Sequence, residues 1–74
     1  MDYITDIIRR YEADLQKVKQ DGYFIRFIKE QTYELCLAAV KQDGLSLQFI
    51  KEQTPELCLA AIKQNGSALY YVKD

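Results

Sequence analysis

The side chains of this chain that could do chemistry are two thiols, a set of regularly spaced carboxylates and two rows of lysines. Cys36 and Cys58 stand 22 residues apart in one string, ELCLAA. A cysteine nucleophile needs a partner base and an electropositive, partly open site. The chain has no histidine to act as that base, as a zinc ligand or as a proton shuttle near neutral pH. It also lacks a glycine-rich phosphate loop, a calcium loop and a paired CxxC. Both thiols lie in apolar runs and read as small core hydrophobes. A disulfide between them is excluded if equivalent helices stack roughly 8–10 Å apart, because the bond tolerates only about 7 Å between Cα atoms. Glu12, Glu34 and Glu56 share the same spacing and read as helix-start residues facing the positive end of a dipole. The chain is therefore expected to be no enzyme and to need no catalytic residue, cofactor, metal or small-molecule substrate.

Three exposed rows invite a binding role instead. Lys19, Lys41 and Lys63 form one, and Lys29, Lys51 and Lys73 another. Such lines could follow a phosphate backbone. The first row, however, also suits helix C-terminal dipoles, and acidic residues alternate with both. The third row is Arg26, Gln48 and Tyr70, with Tyr71 beside it. Tyrosine and arginine are frequent interface anchors, so Arg26, Gln48, Tyr70, Tyr71 and Lys73 are the candidate protein-interaction residues.

These rows exist because a 22-residue unit recurs. Residues 31–52 read QTYELCLAAVKQDGLSLQFIKE and residues 53–74 read QTPELCLAAIKQNGSALYYVKD. Residues 9–30, RRYEADLQKVKQDGYFIRFIKE, keep the second half of the unit and rewrite the first. Self-similarity at a short fixed period marks an array in which each unit buries its apolar face by stacking on a neighbour. The 74 residues then form a single domain: an N-terminal cap extension over 1–8, a divergent repeat over 9–30, and repeats over 31–52 and 53–74. With a formal net charge of −1, no long-range field draws the whole molecule to nucleic acid or anionic lipid. The longest apolar runs fall far short of the roughly 20 residues of a spanning helix. Asp2 and Asp6 stand where a signal peptide would be basic and then apolar, so a cytoplasmic protein without a membrane role is expected.

Local signals place the elements. Thr54-Pro55-Glu56 reads as an N-cap, a first-turn proline and an acidic first turn, and Lys63 followed by Asn65-Gly66 reads as a helix end closed by a left-handed glycine. This predicts a helix over 55–64. The same signals one unit earlier, ending at Asp43-Gly44, predict a helix over 33–42. Shorter helices are expected over 24–30, 46–52 and 67–73, the last two opened by Ser46 and Ser67. The all-apolar run from Leu35 to Val40 makes the first helix of each unit an inner layer buried on most sides. Leu37 and Leu59 are then core residues whose truncation unfolds much of the protein. Ile4, Ile8, Tyr11, Leu15 and Val18 form one apolar stripe and predict a helix over 3–20 capped by Asp2, which docks on the array. Its Ala13, Asp14, Gln16 and Lys17 replace apolar residues of the later units and give the terminal unit a polar outer face. At the other end, Lys73-Asp74 closes a unit with no extra helix, leaving a free edge. The fold class is all-α: short helix-turn-helix repeats stacked as a small α-solenoid-like array behind a longer N-terminal capping helix.

The string ELCLAAVKQ(D/N)G, followed by an LQFIKEQT-like segment, resembles a family of short bacterial and viral tandem repeats known as a domain of unknown function. The resemblance covers residues 31–74 closely and 18–30 through VKQDG and FIKE, while residues 1–17 depart from it. It implies a helical array used for interaction, in proteins of mobile elements, with no assigned activity, cofactor or catalytic residue. The expected function is a non-catalytic protein–protein interaction module with a protein partner yet to be identified. A narrower version is a small inhibitor that occludes a larger enzyme, an anti-defence or anti-CRISPR-like factor of a phage. The alternatives are a nucleic-acid binder using the lysine rows, which the interleaved carboxylates disfavour, and a structural repeat that self-associates through its C-terminal edge.

Overall fold

The computed structural model describes residues 2–73; the expected close of the third unit at Asp74 falls outside them. Three α-helices, α1 (Tyr3–Gln20), α2 (Tyr33–Gln42) and α3 (Pro55–Gln64), alternate with three six-residue 3₁₀ helices, η1 (Gly22–Phe27), η2 (Gly44–Phe49) and η3 (Gly66–Tyr71). The fold is all-α. α2 packs between α1 and α3, and η2 between η1 and η3, so the units stack into an array measuring 45 × 23 × 17 Å.

The α-helices begin where their caps dictate. Asp2 accepts from the Ile4 N–H at 3.0 Å and from the Thr5 hydroxyl at 2.8 Å. These bonds, the Thr5 one foremost, hold its carboxyl below the usual range. Thr32 and Thr54 accept from the N–H groups of Leu35 and Leu57, each at 3.2 Å. Glu34 and Glu56 occupy first turns, as expected, whereas Glu12 lies in the middle of α1.

The short elements depart from expectation. They start earlier and end earlier than 24–30, 46–52 and 67–73, and they are 3₁₀ rather than α. No described residue, glycine included, has a positive φ, so the glycines are not left-handed helix ends. Instead Asp21, Asp43 and Asn65 each close one α-helix in extended conformation and cap the next 3₁₀ helix, accepting from Tyr23, Leu45 and Ser67 N–H at 3.0, 3.0 and 2.9 Å. The Asp/Asn side chain opens the turn, so Ser46 and Ser67 do not. The Ser46 hydroxyl is fully buried without a partner.

Glycine is required for proximity. A Cβ on Gly22 would lie 2.6 Å from both the Ala39 carbonyl oxygen and Ser46 Oγ, and one on Gly44 would collide with the Ala61 carbonyl. The main chain of each of the first two units thus touches the α-helix of the next. The Gly22 N–H donates to Gln42 Oε1 at 2.8 Å, and the Gly44 N–H to Gln64 Oε1 at 2.5 Å. A second glutamine ties the far ends of the 3₁₀ helices. Gln31 Nε2 donates to the Ile25 and Phe49 carbonyls at 3.1 and 3.0 Å, and Gln53 Nε2 to those of Leu47 and Tyr71 at 3.1 and 3.0 Å. Their Oε1 atoms accept from the Lys51 and Lys73 N–H groups.

The core runs through both layers. Val18, Ile25, Leu35, Ala39, Val40, Leu47, Ile50, Leu57 and Ala61 are essentially inaccessible. α2 therefore buries Leu35, Cys36, Ala39 and Val40, a stripe at helical spacing, rather than its whole apolar run. Leu37 is only half-buried and Leu59 is 53% exposed, so neither anchors the core. α1 also docks by only the C-terminal part of its stripe: Val18 is buried, Tyr11 and Leu15 pack against the core, and Ile4 and Ile8 face solvent. An 18-residue helix overshoots its 10-residue neighbour α2.

Leu47→Ala is expected to lose about 2–5 kcal/mol and Leu59→Ala under about 1 kcal/mol, as read by urea denaturation followed by circular dichroism. In the same assay Ser46→Ala, which removes the orphaned hydroxyl, should raise stability by about 1 kcal/mol.

Candidate functional site

The surface that could bind a partner is the C-terminal edge, and comparison of equivalent residues defines it. Val18 and Val40 are buried, and the third-unit counterpart Ile62 is partly open. Ile25 and Leu47 are both 0% exposed, whereas Leu69 is 64% exposed. Ile28 and Ile50 are buried, and Val72 is exposed. Cys36 is buried and Cys58 half-buried. Gly22 and Gly44 are buried against the following helix, while no atom lies within 4 Å of a Cβ built on Gly66. Ile62, Gly66, Leu69 and Val72 are thus the third copy of a face that is covered in the first two units, and Cys58 beside them repeats a position covered in the second. Beside them stand Leu59, Tyr70 and Tyr71, all exposed.

The expected interaction residues divide. Tyr70, 89% exposed, and Tyr71 lie on this edge. Arg26 is exposed at the other end of the array, its guanidinium 4.5 Å over the Phe27 ring and 5.9 Å from that of Phe49. Gln48 is half-buried and donates to the Leu45 carbonyl at 2.9 Å, closing its own turn. Lys73 Nζ donates to the Ile50 carbonyl at 3.3 Å, and Lys51 Nζ to that of Lys29 at 3.2 Å. Two ammonium groups of the second lysine row are therefore engaged in joining units, while Lys19, Lys41 and Lys63 stay exposed. Sequence reasoning missed Leu69 and Gly66; the available signal was that their equivalents, Leu47 and Gly44, occupy internal units.

Away from this edge, a concavity of about 490 Å³ lies under α1, between Ile7, Tyr11, Phe24, Phe27, Ile28 and Leu35. Its wall is held by a bond invisible to local sequence signals: the Tyr11 hydroxyl donates to Glu34 Oε1, joining α1 to α2. This bond, ahead of all other influences, raises the Tyr11 pKa. The thiol of Cys36 is also raised, by burial, which makes a thiolate nucleophile there unfavourable. Among the described residues no group of histidine, cysteine and acidic side chains is arranged to hold a metal. No described helix is long and apolar enough to cross a membrane.

Because the bond needs the protonated phenol, the stability it contributes is complete below the unfolded tyrosine value of about 10 and is lost as pH rises through the higher folded value. In a spectrophotometric titration one of the six tyrosines should ionise late, and Tyr11→Phe should remove that late step.

No curated protein and no solved structure matches the chain. Residues 32–74 match the model of a family described as a domain of unknown function, DUF4116.

Proposed function

The chain belongs to the DUF4116 family, and on that footing we propose that it is a non-catalytic protein-interaction module whose partner docks on the C-terminal edge. The observation that supports this reading most is the exposure of Leu69 at a position that is fully buried in both preceding units. Apolar side chains shaped for a helix neighbour stand on the surface together with two tyrosines, a composition suited to the centre of a protein interface. The chain's lack of histidine and the burial of Cys36 both weigh against catalysis. A module that binds through one edge would act on a larger enzyme by occlusion, the form an anti-defence inhibitor of a phage or mobile element would take. The competing class, nucleic-acid binding, is weakened by the use of the Lys51 and Lys73 ammonium groups as ties between units.

The test is a pull-down from host lysate with and without nuclease, alongside a Leu69→Asp variant. A nuclease-resistant protein captured by the wild type and lost by Leu69→Asp, with helicity retained, is the expected result. Capture that vanishes with nuclease, together with oligonucleotide binding that weakens steeply with salt, would move the function to the exposed lysines.

A further inference from the structure

The internal interfaces specify what the open edge is shaped to receive. Across each of them the arriving helix presents three residues at i, i+4 and i+7. In α2 these are Leu35, Ala39 and Gln42, and in α3 they are Leu57, Ala61 and Gln64. The leucines are 1% exposed and the alanines 0%. Each alanine carbonyl lies where a glycine Cβ would otherwise be, and each glutamine accepts the glycine N–H. On the third unit Gly66 offers the same N–H beside Cys58, Ile62, Leu69 and Val72. Resting on the interaction reading above, we infer that the C-terminal edge binds an α-helix of a partner protein carrying Leu-x-x-x-Ala-x-x-Gln on one face, with the glutamine accepting from the Gly66 N–H and the alanine seated over Gly66.

A second copy of this chain is a poor occupant. Its exposed leading helix, α1, would bring Ala13, Lys17 and Gln20 to the three positions. Gln20 fits, but Ala13 forfeits the leucine contact. Lys17 would place an alkylammonium chain where Ala39 and Ala61 are completely buried, and an unpaired buried charge is strongly unfavourable. In the free protein Lys17 is exposed, its Nζ 5.1 Å above the Phe24 ring. The same residue that finishes one end of the array thus bars it from the other.

The probe is a synthetic helix copying residues 54–65, with alanine in place of Cys58 and a staple joining the positions of Glu56 and Lys63, both exposed in α3. The staple is needed because so short a helix is marginal alone. Binding is followed by fluorescence polarisation and by loss of Cys58 reactivity toward a thiol reagent. Saturable binding that protects Cys58 is expected. Gly66→Ala should leave the melting temperature of the free protein unchanged yet weaken binding at least about tenfold, a difference of roughly 1.4 kcal/mol. A helix with lysine at the position copied from Ala61 should not bind. Absence of saturation at millimolar helix, or binding indifferent to Gly66→Ala and to that lysine, overturns the assignment. So does protection of Cys58 that rises with protein concentration alone, since the occupant is then a second copy. A lysate protein whose capture depends on Leu69 but which the helix cannot displace would retain the interaction module and remove this helix specificity.

Discussion

The array rests on the approach of a bare main chain to the next helix. At Gly22 and Gly44 the absence of a side chain lets the 3₁₀ turn of one unit reach the alanine carbonyl of the following helix, and a glutamine one turn further receives the glycine N–H. Everything else about the stack follows from that distance. The helices carry small residues where they meet these turns, and the apolar residues of two short elements close over each junction. A six-residue 3₁₀ helix has little intrinsic stability, so its persistence here depends on being clamped at both ends, by the Asp/Asn cap at its start and by Gln31 or Gln53 at its finish.

This arrangement explains the uneven demands on the sequence. Ala39 and Ala61 occupy the tightest positions and are fully enclosed, whereas in the same apolar runs Leu37 is only half-buried against the core and Leu59 is exposed. Position 46 illustrates a tolerated imperfection: serine is buried there without a bond, while the equivalent Ala68 fits without a polar group. Repetition gives each junction the same parts, so stability in such arrays accumulates from one neighbour contact to the next.

Much of the α-helical content was legible because it is written in local signals. The cap at Asp2, the Thr-x-Glu starts and the terminal lysines located α1, α2 and α3 at their observed bounds. The 3₁₀ elements were not, because Asp-Gly and Asn-Gly are equally good as a helix terminator and as a cap followed by a residue with no Cβ. Only the position of a neighbour 17 residues onward, Ala39 for Gly22, decides between them. The burial of Leu35 over Leu37 was hidden for a related reason: six consecutive apolar residues have no periodicity to read. On the surface, Tyr70 and Tyr71 were recognisable as exposed aromatics, but the exposure of Leu69 follows from what does not cover it; Gln48 closes its own turn, and exposed Arg26 lies over the rings of Phe27 and Phe49.

The two ends of the stack are chemically unlike, and this gives the molecule a polarity. Lys17 on the leading helix makes that face unlike an interior one: a unit stacked against it as α1 is stacked against α2 would bury its charge. The trailing end keeps the geometry of an interior junction. Any assembly built through these junctions is therefore vectorial, with Lys17 turned toward one end and Gly66 and Leu69 toward the other.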